Sequence, residues 1–107
     1  MRRTHALVQV AIALLDGDGK GARQWGYDLG KRARVRSGVL YPILQRLLDE
    51  GWLADGWETQ DEVVGRPPRR YYELTDQGRR GLGGVVEDAR LDERFAALFG
   101  WRAVGGA

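Results

Sequence analysis

The chain has 107 residues and a formal net charge of +2, with no cysteine and one histidine. This length allows one domain with a single hydrophobic core. Without cysteine there are no disulfides, thiolate metal sites or cysteine nucleophiles, and His5 alone is too little for a histidine metal site or a hydrolase triad. No glycine-rich phosphate loop follows a predicted strand and no nucleophile–base pairing is visible, so neither an enzyme nor a cofactor is predicted. No apolar run approaches the roughly 18 residues of a membrane span. We expect a cytoplasmic protein with no membrane partner.

Arginine is clustered rather than spread evenly. Residues 31–46 carry five basic side chains and no acidic one, and Arg66, Arg69 and Arg70 form a second basic group. An arginine-rich composition would explain the number of arginines but not their clustering, so the distribution of charge says more about partners than the net charge does.

The first half of the chain predicts three helices. Thr4 can cap a first helix whose apolar residues recur at helical spacing. Trp25, Leu29 and Ala33 predict a second helix over residues 24–34 that turns all three side chains inward. After a brief connection, a third helix is predicted to begin with Ser37 as its N-cap and to end at Gly51 in the C′ position.

The third predicted helix has two distinct faces. Its apolar face is formed by Leu40, Ile43, Leu44, Leu47 and Leu48. The opposite face is polar, Tyr41 lies at the boundary, and Pro42 falls near the first turn, where it could make the helix irregular. An ordinary core helix would have the same periodicity. A tight turn between two helices, the second with a polar outer face, is nevertheless the helix-turn-helix pattern.

The segment after Gly51 predicts an antiparallel hairpin. Residues 52–59 and 69–74 have the length and aromatic content of strands, and residues 60–68 between them are polar and contain Gly65, Pro67 and Pro68. A hairpin with an arginine-tipped loop directly after a helix-turn-helix is a winged helix. Arginines at such a tip suit phosphate oxygens or a narrow minor groove, although simply solvated arginines would look the same in the sequence.

A last helix is predicted from the N-cap Thr75 to about Phe99, a length of about 37 Å at 1.5 Å per residue. It is too long and too apolar to lie wholly against so small a domain, so we expect it to pack against a second copy of the chain. The predicted dimerisation residues are Leu82, Val85, Val86, Ala89, Leu91, Phe95, Leu98 and Phe99. The predicted fold is mainly α with a small β-hairpin (α+β), with a winged helix-turn-helix in 1–74 and the dimerisation helix with a frayed tail in 75–107.

Three segments resemble the PadR-like transcriptional regulators, in particular the short members that have a winged helix and one C-terminal helix. The segments are Gly26-Tyr-Asp-Leu29, then Ser37-Gly-Val-Leu-Tyr-Pro-Ile-Leu-Gln-Arg-Leu-Leu-Asp-Glu-Gly-Trp-Leu53, then Arg69-Arg-Tyr-Tyr-Glu-Leu-Thr-Asp-Gln-Gly78. With the first helix, they cover roughly residues 5–85 in the family's order and near its spacing.

The resemblance implies a homodimeric repressor that binds double-stranded operator DNA at its own or a nearby promoter. In the family the helix over residues 37–50 enters the major groove, the wing lies on the flanking backbone, and small, often aromatic or drug-like effectors release many members from DNA. The aromatic residue that sandwiches flat ligands in some short members has no counterpart in residues 85–89. This departure argues against a ligand between the subunits.

Carried over onto this sequence, the resemblance assigns base reading and phosphate binding to different residues. Base edges would be contacted by Gly38, Tyr41, Pro42 and Gln45, since glutamine can pair bidentately with adenine. Phosphates would be contacted by Ser37, Arg36, Arg46, Arg66 and Arg69, which would set the register without reading sequence. Tyr41 could equally be a tyrosine that completes the core.

Two other kinds of function stay open from the sequence. A winged helix can serve as a protein-interaction adaptor, in which case it should bind DNA weakly at physiological salt. The chain could also be a regulator without a ligand, controlled by a partner protein that covers the apolar C-terminal stripe.

Overall fold

The computed structural model describes residues 2–100, which form helices around a small antiparallel sheet. The helices are α1 (His5–Asp16), α2 (Gly26–Ala33), α3 (Ser37–Asp49) and α4 (Asp76–Arg90). The strands are β1 (Gln24–Trp25), β2 (Leu53–Trp57) and β3 (Arg70–Leu74), and 3-10 turns span Gln60–Glu62 and Glu93–Phe99. This α+β arrangement is the predicted winged helix. Over this range no helix has both the length and the apolarity needed to cross a bilayer.

Helix α1 lies at the centre of the core and packs against α2, α3 and α4. The Thr4 hydroxyl accepts a hydrogen bond from the Leu7 backbone N–H, so the predicted N-cap is confirmed. Val8, Val10 and Leu14 are fully buried. The helical spacing seen in the sequence therefore marks the face on which the other helices pack.

The sheet has three strands in the order β1-β3-β2, and all neighbours are antiparallel. Strands β2 and β3 form the predicted hairpin, whose register runs from Leu53 opposite Leu74 to Trp57 opposite Arg70. The prediction of a helix over residues 24–34 was wrong at its start, since Gln24 and Trp25 pair with Tyr72 and Tyr71 of β3.

The buried side chain of Gln24 explains why the chain is extended there. Its Nε2 donates to the Leu14 carbonyl at 3.0 Å, and its Oε1 accepts from Arg32 at 3.1 Å. Arg32 also donates to the Ala13 carbonyl at 2.9 Å. Since these bonds fix residue 24 against the end of α1, α2 begins only at Gly26, and Trp25 lies half-buried on the sheet rather than on the inward face of a helix.

Helix α3 begins and ends close to the predicted points. Its N-cap is Arg36 rather than Ser37, because the Arg36 carbonyl already accepts from Val39 and Leu40, and Ser37 is the first helical residue. Gly51, with φ +76°, closes the helix as predicted. The Gly51 N–H donates to the Leu48 carbonyl, and the Trp52 N–H donates to the Leu47 carbonyl. The helix continues through Pro42.

The last helix is shorter than predicted. Helix α4 ends at Arg90, and Asp92 then caps a 3-10 turn by accepting from the Arg94 backbone N–H at 2.9 Å. This turn brings Phe95 into the core, with its ring centroid 4.9 Å from that of His5. The prediction of one continuous helix to Phe99 was therefore wrong. The predicted frayed tail at residues 102–107 lies outside the described residues.

Candidate nucleic-acid interface

Helix α3 presents a continuous exposed face away from the core. Leu40, Leu44 and Leu47 are buried on its inner side. Its outer side carries the predicted DNA-contacting residues, all of them exposed: Ser37, Gly38, Tyr41, Pro42, Gln45 and Arg46. The structure therefore brings together on one helix the residues to which the resemblance assigns base reading.

Tyr41 lies between α3 and the first turn of α2. The residue is 45% exposed, so it does not simply complete the core. Gly26 allows this position, because a Cβ at residue 26 would overlap the Tyr41 hydroxyl. Helix α2 thus positions the Tyr41 side chain, and almost half of the residue's surface is exposed to solvent.

Gln45 has an intramolecular partner at the far end of the same face. Its Nε2 donates to Asp49 Oδ1 at 2.9 Å. One amide hydrogen and the carbonyl oxygen stay available, and these are the two groups that a bidentate contact with adenine requires.

Positive charge without an acidic partner flanks this face. Arg36 at the start of α3, Arg46 in its last turn and Arg69 before β3 are exposed, and none forms an ion pair with any carboxylate of residues 2–100. Lys31 lies 5.4 Å from the ring centroid of Tyr27 and is likewise without an ion pair in that range. These cations are available to an external anion such as phosphate.

The other two arginines of the wing are already paired. Arg66 donates to both carboxylate oxygens of Glu58, at 2.7 and 3.0 Å, and the Arg69 backbone N–H donates to Glu58 Oε1 at 2.8 Å. The hydrogen bond from Arg66 is the main reason that the pKa of Glu58 falls to about 2. Arg70 forms an ion pair with Asp55 at 2.5 Å. The hairpin register sets Glu58 opposite Arg69, so nothing in the sequence indicated that Arg66 is the side-chain partner of Glu58.

The wing loop is also fastened to the sheet. Arg23 donates to Glu62 at 2.5 Å, and its guanidinium lies 4.1 Å from the ring centroid of Tyr71. Within the loop, Val63 is buried, whereas its neighbour Val64 is 95% exposed. The loop between β2 and β3 is therefore held at its base and exposed at its tip.

The predicted dimerisation residues fall into three groups. Most are buried against the chain's own core, so their burial does not require a second copy: these are Leu82, Val85, Val86, Ala89 and Phe95. Leu98 and Phe99 are half-buried and line a groove of about 450 Å³ with α1 and α4. Leu91 is 89% exposed.

Comparison with known proteins agrees with this arrangement. The family model described as "Transcriptional regulator PadR-like family" matches residues 23–83, more than half of the chain. No curated protein matches the chain in sequence. A PadR family transcriptional regulator from Eggerthella lenta DSM 2243 is 28% identical, with a TM-score of 0.64 over 81% of this chain and 76% of that one.

Two more distant solved structures have the same fold. A PadR family transcription regulator from Clostridium difficile R20291 is 19% identical, with a TM-score of 0.66 over 90% of this chain and 98% of that one. The circadian clock associated protein Pex from Anabaena is 16% identical, with a TM-score of 0.60 over 92% and 83%. From the family match, the chain belongs to the PadR-like family of transcriptional regulators, which are DNA-binding proteins and not enzymes.

Proposed function

We propose that this regulator is a cytoplasmic homodimeric repressor that binds a specific operator at its own or a neighbouring promoter. The observation that carries the proposal is the exposed outer face of α3, flanked by Arg36 and Arg46, which have no acidic partner in residues 2–100. A face of this kind fits the major groove, where side chains on one helix can reach base edges.

In this proposal α3 reads the bases and the arginines fix the register. Gly38, Tyr41, Pro42 and Gln45 face base edges, and Gln45 pairs with an adenine through its free amide groups. The Ser37 hydroxyl, exposed in the first turn, meets a phosphate, as do Arg36, Arg46 and Arg69, which form no ion pair within residues 2–100.

Arg66 has a different role in the proposal from the one expected from the sequence. Its guanidinium is bound to both oxygens of Glu58, and moving it to a phosphate would leave a largely buried carboxylate without its main partner. We therefore assign Arg66 mainly to holding the wing in shape, with Arg69 as the wing's phosphate contact.

Dimerisation is proposed to use α4 and the turn that follows it, with residues 1–74 as the DNA-binding part of each subunit. The accessible apolar surface there is the exposed Leu91 and the groove with Leu98 and Phe99. Residues 85–89 have no aromatic side chain, but the ring of Phe99 lines this groove, and we assign the groove as the site for a small aromatic or drug-like effector.

The test is binding to a duplex from the protein's own upstream region and to a random duplex, over roughly 50–300 mM salt, where counterion release is visible. We expect preference for the upstream duplex, a steep salt dependence and two chains per site. Weak and equal binding to both duplexes would contradict the proposal and favour a protein-interaction adaptor.

A further inference from the structure

A cleft beside the outer face of α3 contains two exposed aromatic side chains, Tyr27 and Trp57, that have no role in the function proposed so far. It lies between the first turn of α2, helix α3 and the wing, and has a volume of about 360 Å³. Among the side chains that line it are Tyr27 of α2, Tyr41 of α3, and Trp57, Pro68 and Arg69 of the wing. All three structural elements that surround a winged-helix recognition site thus contribute to this cleft.

The aromatic rings in the cleft are unusually accessible. Trp57 is 64% exposed and Tyr27 is 72% exposed. Large aromatic side chains usually bury their rings and keep only a polar group in water, and clustered exposed rings mark places where another molecule binds. Trp57 ends β2 opposite Arg70, so the hairpin fixes where it lies.

The charge in the cleft favours an anionic partner. Arg69 is exposed and has no carboxylate partner in residues 2–100, whereas the nearby acids Glu58 and Asp55 are neutralised by Arg66 and Arg70. A ligand in the cleft therefore meets flat apolar rings beside an unpaired cation. A sugar–phosphate chain has the matching groups, since deoxyribose offers an apolar face and each phosphate a negative charge.

The geometry of the duplex indicates why DNA should cross this cleft. The major and minor grooves are separated by one sugar–phosphate backbone. If α3 occupies the major groove and the wing lies on its flank, as proposed above, that backbone has to pass between α3 and the wing. The cleft occupies this position.

We propose that the cleft is a binding site for one backbone strand of the operator. Trp57 and Tyr27 pack against consecutive deoxyriboses, and Arg69 binds the phosphate between them. This inference rests on the proposed function, because it requires α3 to bind the major groove. It adds two DNA-contacting residues, Tyr27 and Trp57, that are not cationic and do not read bases.

The test uses the full-length protein labelled with 5-fluorotryptophan and the variants Trp57→Ala, Trp57→Phe and Tyr27→Ala. Fluorine NMR spectra are recorded with and without the upstream duplex, and the Trp57 signal is identified by its loss in Trp57→Phe. Trp52, which packs beside Gly78 and Gly81 of α4, is the internal control.

We expect DNA to shift the Trp57 signal and leave that of Trp52 in place. Affinity should fall about tenfold per subunit in Trp57→Ala, because each subunit loses its apolar contact, and much less in Trp57→Phe. The salt dependence should not change, because no cation is removed. If wild type binds the duplex tightly but the Trp57 signal and the Trp57→Ala affinity do not change, the cleft proposal is wrong while the proposed function stands. If wild type shows no preference for the duplex, the proposed function itself fails.

Discussion

Two arginines three positions apart in the wing differ in whether the guanidinium is paired with a carboxylate. Arg66 is bound to Glu58 through two hydrogen bonds, whereas the Arg69 side chain is exposed and makes no ion pair in residues 2–100. In the sequence the two look equivalent, because both belong to one basic cluster, with Arg66 directly before a pair of prolines and Arg69 directly after it. Only the contact with Glu58 separates them.

This difference predicts different salt dependences for the two alanine variants. Arg69→Ala should weaken binding to upstream and random duplexes alike and reduce the slope of log K against log salt by about 2 for a two-chain complex, because each subunit loses one phosphate contact. Arg66→Ala should leave that slope nearly unchanged, because its charge is neutralised by Glu58 in the free protein. The measurement is the dissociation constant at several salt concentrations. Equal reductions of the slope in both variants would assign both arginines to phosphates.

Replacing Gln45 is predicted to reduce sequence specificity rather than overall affinity for DNA. Gln45→Ala should lower affinity for the upstream duplex by roughly 1–3 kcal/mol per subunit, the value of one good bidentate base contact, and leave random-duplex binding nearly unchanged. Asp49→Ala is the matched control, since it frees the Gln45 amide and removes a negative charge from the same face. It should strengthen binding to both duplexes. Equal losses for Gln45→Ala on both duplexes would exclude it as a base reader.

The wing depends on a carboxylate whose ionisation can be tested by pH. The pKa of Glu58 is lowered from 4.5 to about 2, chiefly by the hydrogen bond from Arg66. A group with a lowered folded-state pKa stabilises the fold fully above its ordinary pKa, and this contribution is lost as the pH falls through the folded value. Stability that depends on Glu58 should therefore decline between about pH 4.5 and pH 2.

Comparison with Glu58→Gln isolates this contribution from that of the other carboxylates. The free energy of unfolding of wild type should exceed that of the variant near neutral pH, and the difference should shrink steadily as the pH falls below about 4.5. Denaturant unfolding at a series of pH values measures it. A difference that stays constant down to about pH 2 would mean that the Glu58 carboxylate does not stabilise the wing.

Glycines in α4 are predicted to respond to alanine in opposite directions. A Cβ at Gly78 would overlap the Trp52 backbone, so Gly78→Ala should destabilise the protein by about 1–3 kcal/mol. Gly84 is exposed with nothing within 4 Å of its Cβ position, and Gly84→Ala should stabilise the protein by about 1 kcal/mol through helix propensity. Thermal and denaturant unfolding of both variants test this. Stabilisation by both would show that the start of α4 can move away from Trp52.

Which elements could be predicted from the sequence depended on whether their signals are local. The caps at Thr4, Thr75 and Gly51 and the faces of α3 follow from neighbouring residues, and the structure confirms them. Strand β1 is only two residues long, has no periodicity, and exists because Gln24 bonds to the end of α1 and β3 offers an edge. No glycine or proline marks the end of α4 at Arg90. The helix ends there because the next turn buries Phe95 beside His5.

The proposed DNA-binding surfaces were predictable only in part for the same reason. The periodicity of α3 identified its outer face, and the structure places every residue of that face in solvent. The pairing of Arg66 with Glu58 and the cleft with Tyr27 and Trp57 depend on contacts between separate elements. Hairpin register places Glu58 opposite Arg69 rather than Arg66, and nothing in the sequence brings Tyr27 to Trp57.

At the scale of the whole molecule, the proposed function requires a small chain to bind an operator specifically. One α3 helix presents only a few base-reading side chains, and a symmetric dimer doubles that number on two half-sites. The chain measures 52 × 26 × 26 Å in its Cα extents, comparable to one and a half turns of B-DNA along its long axis. Two copies joined through the α4 region would present two α3 helices.

Leu91 allows the dimer to be tested without disturbing the subunit. Because Leu91 is 89% exposed in the single chain, Leu91→Glu should leave the stability of an isolated subunit nearly unchanged, whereas it would place a charge in an apolar interface at α4. We expect sedimentation to show a shift from two chains to one, together with loss of two-chain binding to the upstream duplex. Val64→Glu, equally exposed but at the wing tip, is the control and should stay dimeric. If Leu91→Glu also stays dimeric, the interface lies elsewhere, and the groove beside Leu98 and Phe99 becomes the next surface to test, since the rest of the apolar stripe is already buried in each subunit.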